Sequence, residues 1–275
     1  MIELFEAAIE RAAFAIARAD ALLIGAGAGM GVDSGLPDFR GKEGFWKAYP
    51  PFRGRPYEEI CGPHLMENDP AQAWGFYGHC LKLYGSAEPH KGFRALRRWG
   101  EKKSGGYFVF TSNVDGHFIR TGFEPENILE VHGTFHYMQC GRGLKCGPDL
   151  WESGDLEIEV DESTLRAVSE LPVCIKCGAI ARPNILMFGD RAWNPLRTAG
   201  QENHFEDWLK ERQGANIVAI EIGAGNVIPT VRYECRRHSK KLIRINPREF
   251  EAPPDAISVP LSALEALLGI DKILV

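Results

Sequence analysis

The stretch Ala21-Leu22-Leu23-Ile24-Gly25-Ala26-Gly27-Ala28-Gly29-Met30-Gly31 decides the fold. Its first four residues form an apolar run with the length of a buried parallel strand, and the run passes straight into glycine at every second position. Such glycines are out of place in a helix interior, where each costs about 1 kcal/mol against alanine. A strand ending on a glycine turn is the opening of a nucleotide-binding unit. Glycine there lets backbone amides approach a pyrophosphate, and a following helix start adds a favourable dipole. Taken alone, the turn serves a tight bend as well as it serves a ligand.

Working outward, Leu4, Ala7, Ala8, Ile9, Ala12, Phe14, Ala15 and Ile16 recur among Glu and Arg over residues 3–19, which predicts an amphipathic helix leading into this strand. Further strands are expected at Tyr107-Phe108-Val109-Phe110, Asn216-Ile217-Val218-Ala219-Ile220 and Lys241-Leu242-Ile243-Arg244-Ile245. Short apolar runs separated by helical patterns specify an α/β fold, a Rossmann-like doubly wound parallel sheet. Ligands of such sheets bind beyond the carboxyl ends of the strands, so residues 27–40, 111–115, 223–229 and 246–247 are expected to line one crevice. A redox dinucleotide site would end its second strand on an acidic residue about 20 residues after the turn. Here Pro37 and Gly41 predict a loop instead, which argues against hydride transfer.

A chain of 275 residues with 44% hydrophobic content can bury a real core without disulfide staples. Its 32 basic and 37 acidic residues give a net charge of −5 and no basic stripe for a phosphate backbone, so direct nucleic-acid binding is not expected. No run approaches the length of a membrane span, and the segment Met1–Glu6 has no basic, then apolar, secretion pattern. A cytoplasmic protein without membrane contact is the expectation.

Four of the seven cysteines (Cys140, Cys146, Cys174 and Cys177) share one stretch. Cys174-Ile175-Lys176-Cys177 is a tight knuckle and Cys140-x5-Cys146 a looser pair whose Gly141 and Gly143 must bulge. In an intracellular chain this clustering favours metal over disulfides, and four thiolates close a tetrahedral zinc site with no open position, so one structural zinc per chain is expected. A redox dithiol would instead open a helix, and Gly178 argues against that. The Rossmann-like part is assigned to about 1–41, 91–136 and 188–275, a helical, aromatic-rich insert to about 42–90, and the zinc module to about 137–187.

Of eight histidines, His132 is singled out because it follows the strand-like Ile128-Leu129-Glu130-Val131 and precedes Gly133, placing its ring where the crevice opens. An ordinary imidazole pKa near about 6.5 suits a general base at neutral pH. His136, four residues on, is the weaker candidate, with the zinc module as its expected surroundings. Asn113 and Asp115 follow the Tyr107 strand, where they serve either as turn residues or as polar ligands.

The run from Gly27 to Gly41, including Asp38-Phe39-Arg40, resembles the cofactor loop of the sirtuin family. Thr111-Ser112-Asn113-Val114-Asp115, Val131-His132-Gly133, the four cysteines, and Arg182-Pro183-Asn184-Ile185-Leu186-Met187-Phe188-Gly189-Asp190 then follow in the family's order. The resemblance covers roughly residues 20–265 and implies NAD as co-substrate and removal of acyl groups from protein lysine, with nicotinamide and acyl-ADP-ribose as products. It implies cofactor contacts from Gly27, Ala28, Gly29, Asp38, Phe39, Arg40, Ser112, Asn113, Val114 and Asp115, and from Gly223, Ala224, Gly225 and Asn246. It makes His132 the base that activates a ribose hydroxyl after the acyl oxygen has displaced nicotinamide, with Asn113 positioning ribose and a water. Met187, Phe188 and Gly189 would pair with an acyl-lysine peptide as an added strand. Gly31 and Ser112 stand where the family usually has Ser and Gln.

The subgroup that removes acidic acyl groups carries Tyr-x-x-Arg in its acyl pocket. Here Tyr77 is kept and Cys80 takes the Arg position, with Trp74 and Phe76 as expected apolar surroundings, so a neutral acyl group, acetyl first, is expected. Mono-ADP-ribosyl transfer and NAD hydrolysis use the same bond cleavage and stand as alternatives. So does a non-catalytic NAD- and zinc-binding module.

Overall fold

The computed structural model describes residues 2–37 and 49–274. Six parallel strands form the main sheet: β1 (Ala21–Ala26), β2 (Tyr107–Thr111), β3 (Ile128–Glu130), β9 (Ile217–Ile222), β10 (Lys241–Ile245) and β11 (Ile257–Val259). Their order is β11-β10-β9-β1-β2-β3. The chain thus builds outward from β1 to one side, returns, and builds outward from β9 on the other. That reversal beside β1 is a topological switch point, and the crevice beyond the carboxyl ends of β1 and β9 is where a doubly wound sheet binds ligands.

Period-two alternation sends β1 side chains to both faces. Leu22 and Ile24 join the core with the Ile2–Ala17, Lys91–Glu101 and Ala263–Leu274 helices, while Ala21 and Leu23 pack with Phe205 and Trp208 of the Leu196–Glu211 helix and with Val231 and Cys235 of the Thr230–Arg237 helix. All six β1 residues are buried, so strand formation continues through Gly25 and Ala26, two residues past the apolar run.

A second sheet, ordered β5-β4-β8, contains β4 (Gly133–Cys140), β5 (Leu150–Glu152) and β8 (Ala181–Ile185), all antiparallel. A two-stranded ribbon, β6 (Val160–Asp161) with β7 (Arg166–Ala167), packs on the Pro70–Ser86 helix, where Arg166 forks onto Asp69 at 2.7 and 2.8 Å. The aromatic helices and the cysteine-bearing sheet share one core: Tyr49, Phe52, Trp74, Phe76 and Tyr77 pack with Phe135, Met138, Leu165 and Ile185. Gly133 lies where β4 meets β8. Its φ is +74°, and a Cβ there would stand 2.0 Å from the Asn184 carbonyl oxygen, so only glycine lets the chain turn from one sheet into the other.

Among the described residues no helix is long and apolar enough to cross a membrane.

Candidate active site

The glycine turn after β1 runs into a loop among the described residues, as Pro37 leads one to expect. No long helix opens there; two single 3₁₀ turns follow, Ala28–Met30 and Val32–Ser34, joined at Gly31. The amides of Gly27, Gly29, Met30 and Gly31 donate to the carbonyls of Ile222, Gly223, Gly27 and Ala28. The glycines are required by the neighbouring loop: a Cβ on Gly29 would lie 2.7 Å from Gly223 Cα, and one on Gly27 the same distance from Ala224 Cα. Gly223 itself has φ +62°. The two loops therefore meet backbone on backbone, which glycine alone permits.

Side chains tie the remaining loops to this pair. Asn113 Nδ2 donates to the Gly27 carbonyl at 3.0 Å, and its amide is held by Thr111 Oγ1. Ser112 donates its amide to the Ala26 carbonyl at 3.1 Å. Asn246 Nδ2 donates to the Ala224 carbonyl at 3.0 Å, and its Oδ1 accepts the amides of Arg248 and Glu249. Arg232 reaches the same Ala224 carbonyl, and its neighbour Glu221 forks onto Arg244 at 2.7 and 2.9 Å. Gly29, Val32, Asp33, Gly223, Asn246 and Arg248 are among the residues lining one crevice where the loops meet. Ala28 is exposed and Gly225 half-buried beside it. Asp38, Phe39 and Arg40 lie outside the described residues.

His132 follows β3 at the crossing between the sheets, and its carbonyl accepts from Leu186 N–H at 2.9 Å. Burial holds its imidazole below the ordinary range, opposed by a hydrogen bond with the Ser112 backbone, so the ring is neutral at physiological pH. Asp115 is buried, and its Oδ1 accepts the His117 amide at 2.9 Å. Burial pushes its carboxyl up to about 6, against that hydrogen bond and the nearby guanidinium of Arg120. Val114 anchors the loop from behind by accepting Phe135 N–H at 3.1 Å.

His136 does not face the cysteines. The β4–β8 register shifts between Thr134 and Met138, and such a bulge re-aims side chains. The His136 ring rests against Gly116, next to Asp115. Glu130 and His117 went unrecognised in the sequence. Glu130 is a buried carboxylate at the end of β3 whose pKa is raised by burial, with Arg197 opposing. Its only sequence signal was an acid inside an apolar strand run.

The expected substrate segment is pinned on one side. Leu186, Met187 and Phe188 donate their amides to His132 carbonyl, Asp190 Oδ2 and Cys61 carbonyl. Asp190 is held by a buried ion pair with Arg182. An added strand would therefore have to use the carbonyls here and the Gly189 amide. Leu186, Phe188 and Gly189 are exposed, while Met187 is buried.

Tyr77 is buried between Phe76 and Phe135, and its hydroxyl has no hydrogen-bond partner among the described residues. Cys80 is buried 3.5 Å from the Tyr49 hydroxyl. The expected apolar surroundings hold for Phe76, one helical turn from Cys80 in the same buried cluster, and need correction for Trp74. Trp74 donates its Nε1 to the Ala181 carbonyl on β8, and Phe76 packs on Tyr49 and Phe52. At 100° per residue the helix turns Trp74 away from the Cys80 face, where phenols gather instead.

The four cysteine sulfurs all lie within 4.8 Å of one another. Cys140 and Cys177 are 3.6 Å apart, Cys146 and Cys174 3.8 Å, and none is disulfide-bonded. Zn–S bonds near ~2.3 Å give a tetrahedron with sulfur–sulfur edges near ~3.8 Å, so the donor set and its spacing fit a structural zinc ion. A 3₁₀ turn over Gly143–Lys145 takes up the extra residues of the loose pair.

Comparison with known proteins agrees with this architecture. The Sir2 family model matches residues 27–209. An NAD-dependent protein deacylase of Thermococcus kodakarensis is 33% identical, over 86% of this chain and 83% of that protein. NAD-dependent protein deacylase 1 of Archaeoglobus fulgidus is 27% identical, over 88% and 87%. A serine-to-alanine mutant of a Sir2 homologue in complex with ADP-ribose has a TM-score of 0.68 at 25% identity, covering 96% of this chain and 97% of that one. A Sir2 homologue–NAD complex shares the fold at a TM-score of 0.70 and 24% identity. With the family model matched over most of the chain and a relative at one-third identity across more than four-fifths of it, the chain belongs to the Sir2 family.

Proposed function

We propose that the protein is an NAD-dependent protein-lysine deacylase that converts NAD, a neutral acyl-lysine and water to nicotinamide, lysine and acyl-ADP-ribose. The observation that carries this reading is that His132, hydrogen-bonded to the Ser112 backbone, lies against the loop on which Asn113 holds the Gly27 carbonyl and Asp115 is buried. NAD supplies the activated ribose carbon; the chain binds, orients and moves protons. Gly27, Ala28, Gly29, Gly223, Ala224, Gly225 and Asn246 form the wall for the phosphates and ribose, and the family resemblance adds Asp38, Phe39 and Arg40 as cofactor-binding residues. Asp115 accepts from the nicotinamide carboxamide, with Ser112 and Val114 framing it. His132 removes the proton of a ribose hydroxyl, a step suited to a base that is neutral at pH 7.

Met187, Phe188, Gly189 and Tyr77 receive an acyl-lysine protein or peptide. Cys140, Cys146, Cys174 and Cys177 hold one zinc, far too saturated by thiolate to act on substrate. The division into a Rossmann-like part, a helical insert and a zinc module belongs to the same reading. So does a cytoplasmic location, which keeps four thiols reduced for metal.

Mass spectrometry of the products formed from NAD and a panel of acyl-lysine peptides tests it. Acyl-ADP-ribose is the expected product. Free ADP-ribose alone, or ADP-ribose attached to protein, would replace deacylation with NAD hydrolysis or transfer, and no nicotinamide release at all would leave a binding module.

A further inference from the structure

Glu130 ends β3, the edge strand of the main sheet, and its backbone groups point away from β2, because Val131 and not Glu130 donates to the Thr111 carbonyl. All three of its polar groups are taken by one turn of the Leu196–Glu211 helix. Its amide donates to Gln201 Oε1 at 3.1 Å, its carbonyl accepts from Thr198 Oγ1 at 3.3 Å, and its carboxylate accepts from Arg197 Nη2 at 2.6 Å. The Arg197 guanidinium also lies 5.0 Å from the centre of the Tyr137 ring, so it touches β4 as well. His132 comes two residues after Glu130, with its carbonyl tied to Leu186.

Covering an edge strand explains Thr198 and Gln201. It does not explain a carboxylate beside them that is 3% exposed, since burying a charge is costly and an apolar side chain would fill the same place. Paired in this way, a buried charge fixes geometry more than it adds stability.

We propose that Arg197, with Thr198 and Gln201, is a positioning residue for His132: the grip on Glu130 sets where the imidazole stands at the crevice. The inference rests on the reading of His132 as the base. That base acts after nicotinamide has left, so a clamp defect should separate the two products.

The test follows nicotinamide and deacylated peptide separately in the full-length, zinc-loaded protein with NAD and an acetyl-lysine peptide. Arg197→Ala is expected to lower deacylated-peptide formation by roughly tenfold or more, because small misplacements of a reacting group are costly. Its KM for NAD and first-turnover nicotinamide release should stay within about threefold. Arg197→Lys should recover part of the loss, and Thr198→Val, which removes only a hydroxyl, should show a smaller loss of the same kind. Those two variants carry the test if Arg197→Ala does not fold. Normal peptide turnover in the clamp variants beside an inactive His132→Ala overturns the proposal alone. So does a parallel loss of NAD binding, which marks a purely structural role. Normal turnover in His132→Ala sinks the base reading and the proposal together.

Discussion

The two sheets are held by different means. β1 is buried along its whole length and pairs in unbroken register with β2 and β9, so its position is set by hydrophobic burial on both faces. The β4–β8 ladder is broken by a bulge, β6 and β7 are two residues each, and the nearby cysteine sulfurs gather within 4.8 Å. The first region is specified by pattern; the second adds to its apolar core a set of four thiols placed for a cross-link through metal. Loss of zinc should therefore fall on one region and spare the other.

Cys174→Ser gives the largest expected effect. Binding at a closed thiolate site is worth roughly 10–16 kcal/mol and acts as folding energy. Metal analysis should fall from one zinc per chain to well under one, and a separate low-temperature melting step should appear while the main sheet keeps its own transition. A variant that keeps zinc and melts like the parent would erase the distinction between the regions.

The same contrast decides what the sequence could disclose. β1, β2, β9 and β10 were legible because a buried strand needs only a short apolar run, and their loops followed from the rule for parallel sheets. The reason for Gly27 and Gly29 was not legible, since the partner at Gly223 is nearly 200 residues away in the chain. His136 was misread because a bulge leaves no local signature. The Glu130 clamp was invisible: Arg197, Thr198 and Gln201 are ordinary residues of a surface helix until β3 is laid against them.

His132 stands at the junction of the two regions, so its loss asks whether the junction is chemical or merely structural. His132→Ala is expected to cut deacylation by about 10²–10⁴, the usual range for a general base, with melting temperature and NAD affinity little changed. Comparable turnover would remove it from the mechanism. A matching collapse in stability would make it a structural hinge.

Asp115 gives a smaller effect of opposite sign on stability. Its folded-state pKa of about 6 lies above the ordinary carboxyl value of 3.8, so the folded chain holds this proton more tightly than the unfolded chain. Stability from this group is highest below pH 4, falls as pH rises towards 6, and is lowest above it. Asp115→Asn should thus stabilise the protein by roughly 2–3 kcal/mol at pH 7.5, with the gain vanishing near pH 4. It should weaken NAD use about tenfold or more by removing a charged acceptor. Denaturant titrations at both pH values check the first part and KM for NAD the second. A destabilised variant at pH 7.5 would mean that the carboxylate is paired more fully than its surroundings indicate.

The smallest expected effect concerns the acyl group, in the core shared by the aromatic insert and the second sheet. Cys80 is buried beside the Tyr49 hydroxyl, and Tyr77 is buried with its own hydroxyl unpartnered among the described residues. Lys82 is exposed, on the outer face of the helix, so it does not supply the cation that Cys80 lacks. If the acyl group enters beside Cys80, it meets the Tyr49 hydroxyl, the thiol and the Phe76 ring, which can receive a neutral chain but cannot neutralise a distal carboxylate. Leaving such a charge unpaired costs at least several kcal/mol in the buried limit, while each methylene of a neutral chain gains about 0.8 kcal/mol. Some of the cost will be relieved by water, so the discrimination is set at a conservative tenfold in kcat/KM, equal to about 1.4 kcal/mol. Matched acetyl- and succinyl-lysine peptides measure it directly. Succinyl preference would require a cation in the pocket, and Cys80→Arg then separates the cases: it should improve succinyl turnover if Cys80 lines the pocket, and leave the ratio unmoved if the acyl group lies elsewhere.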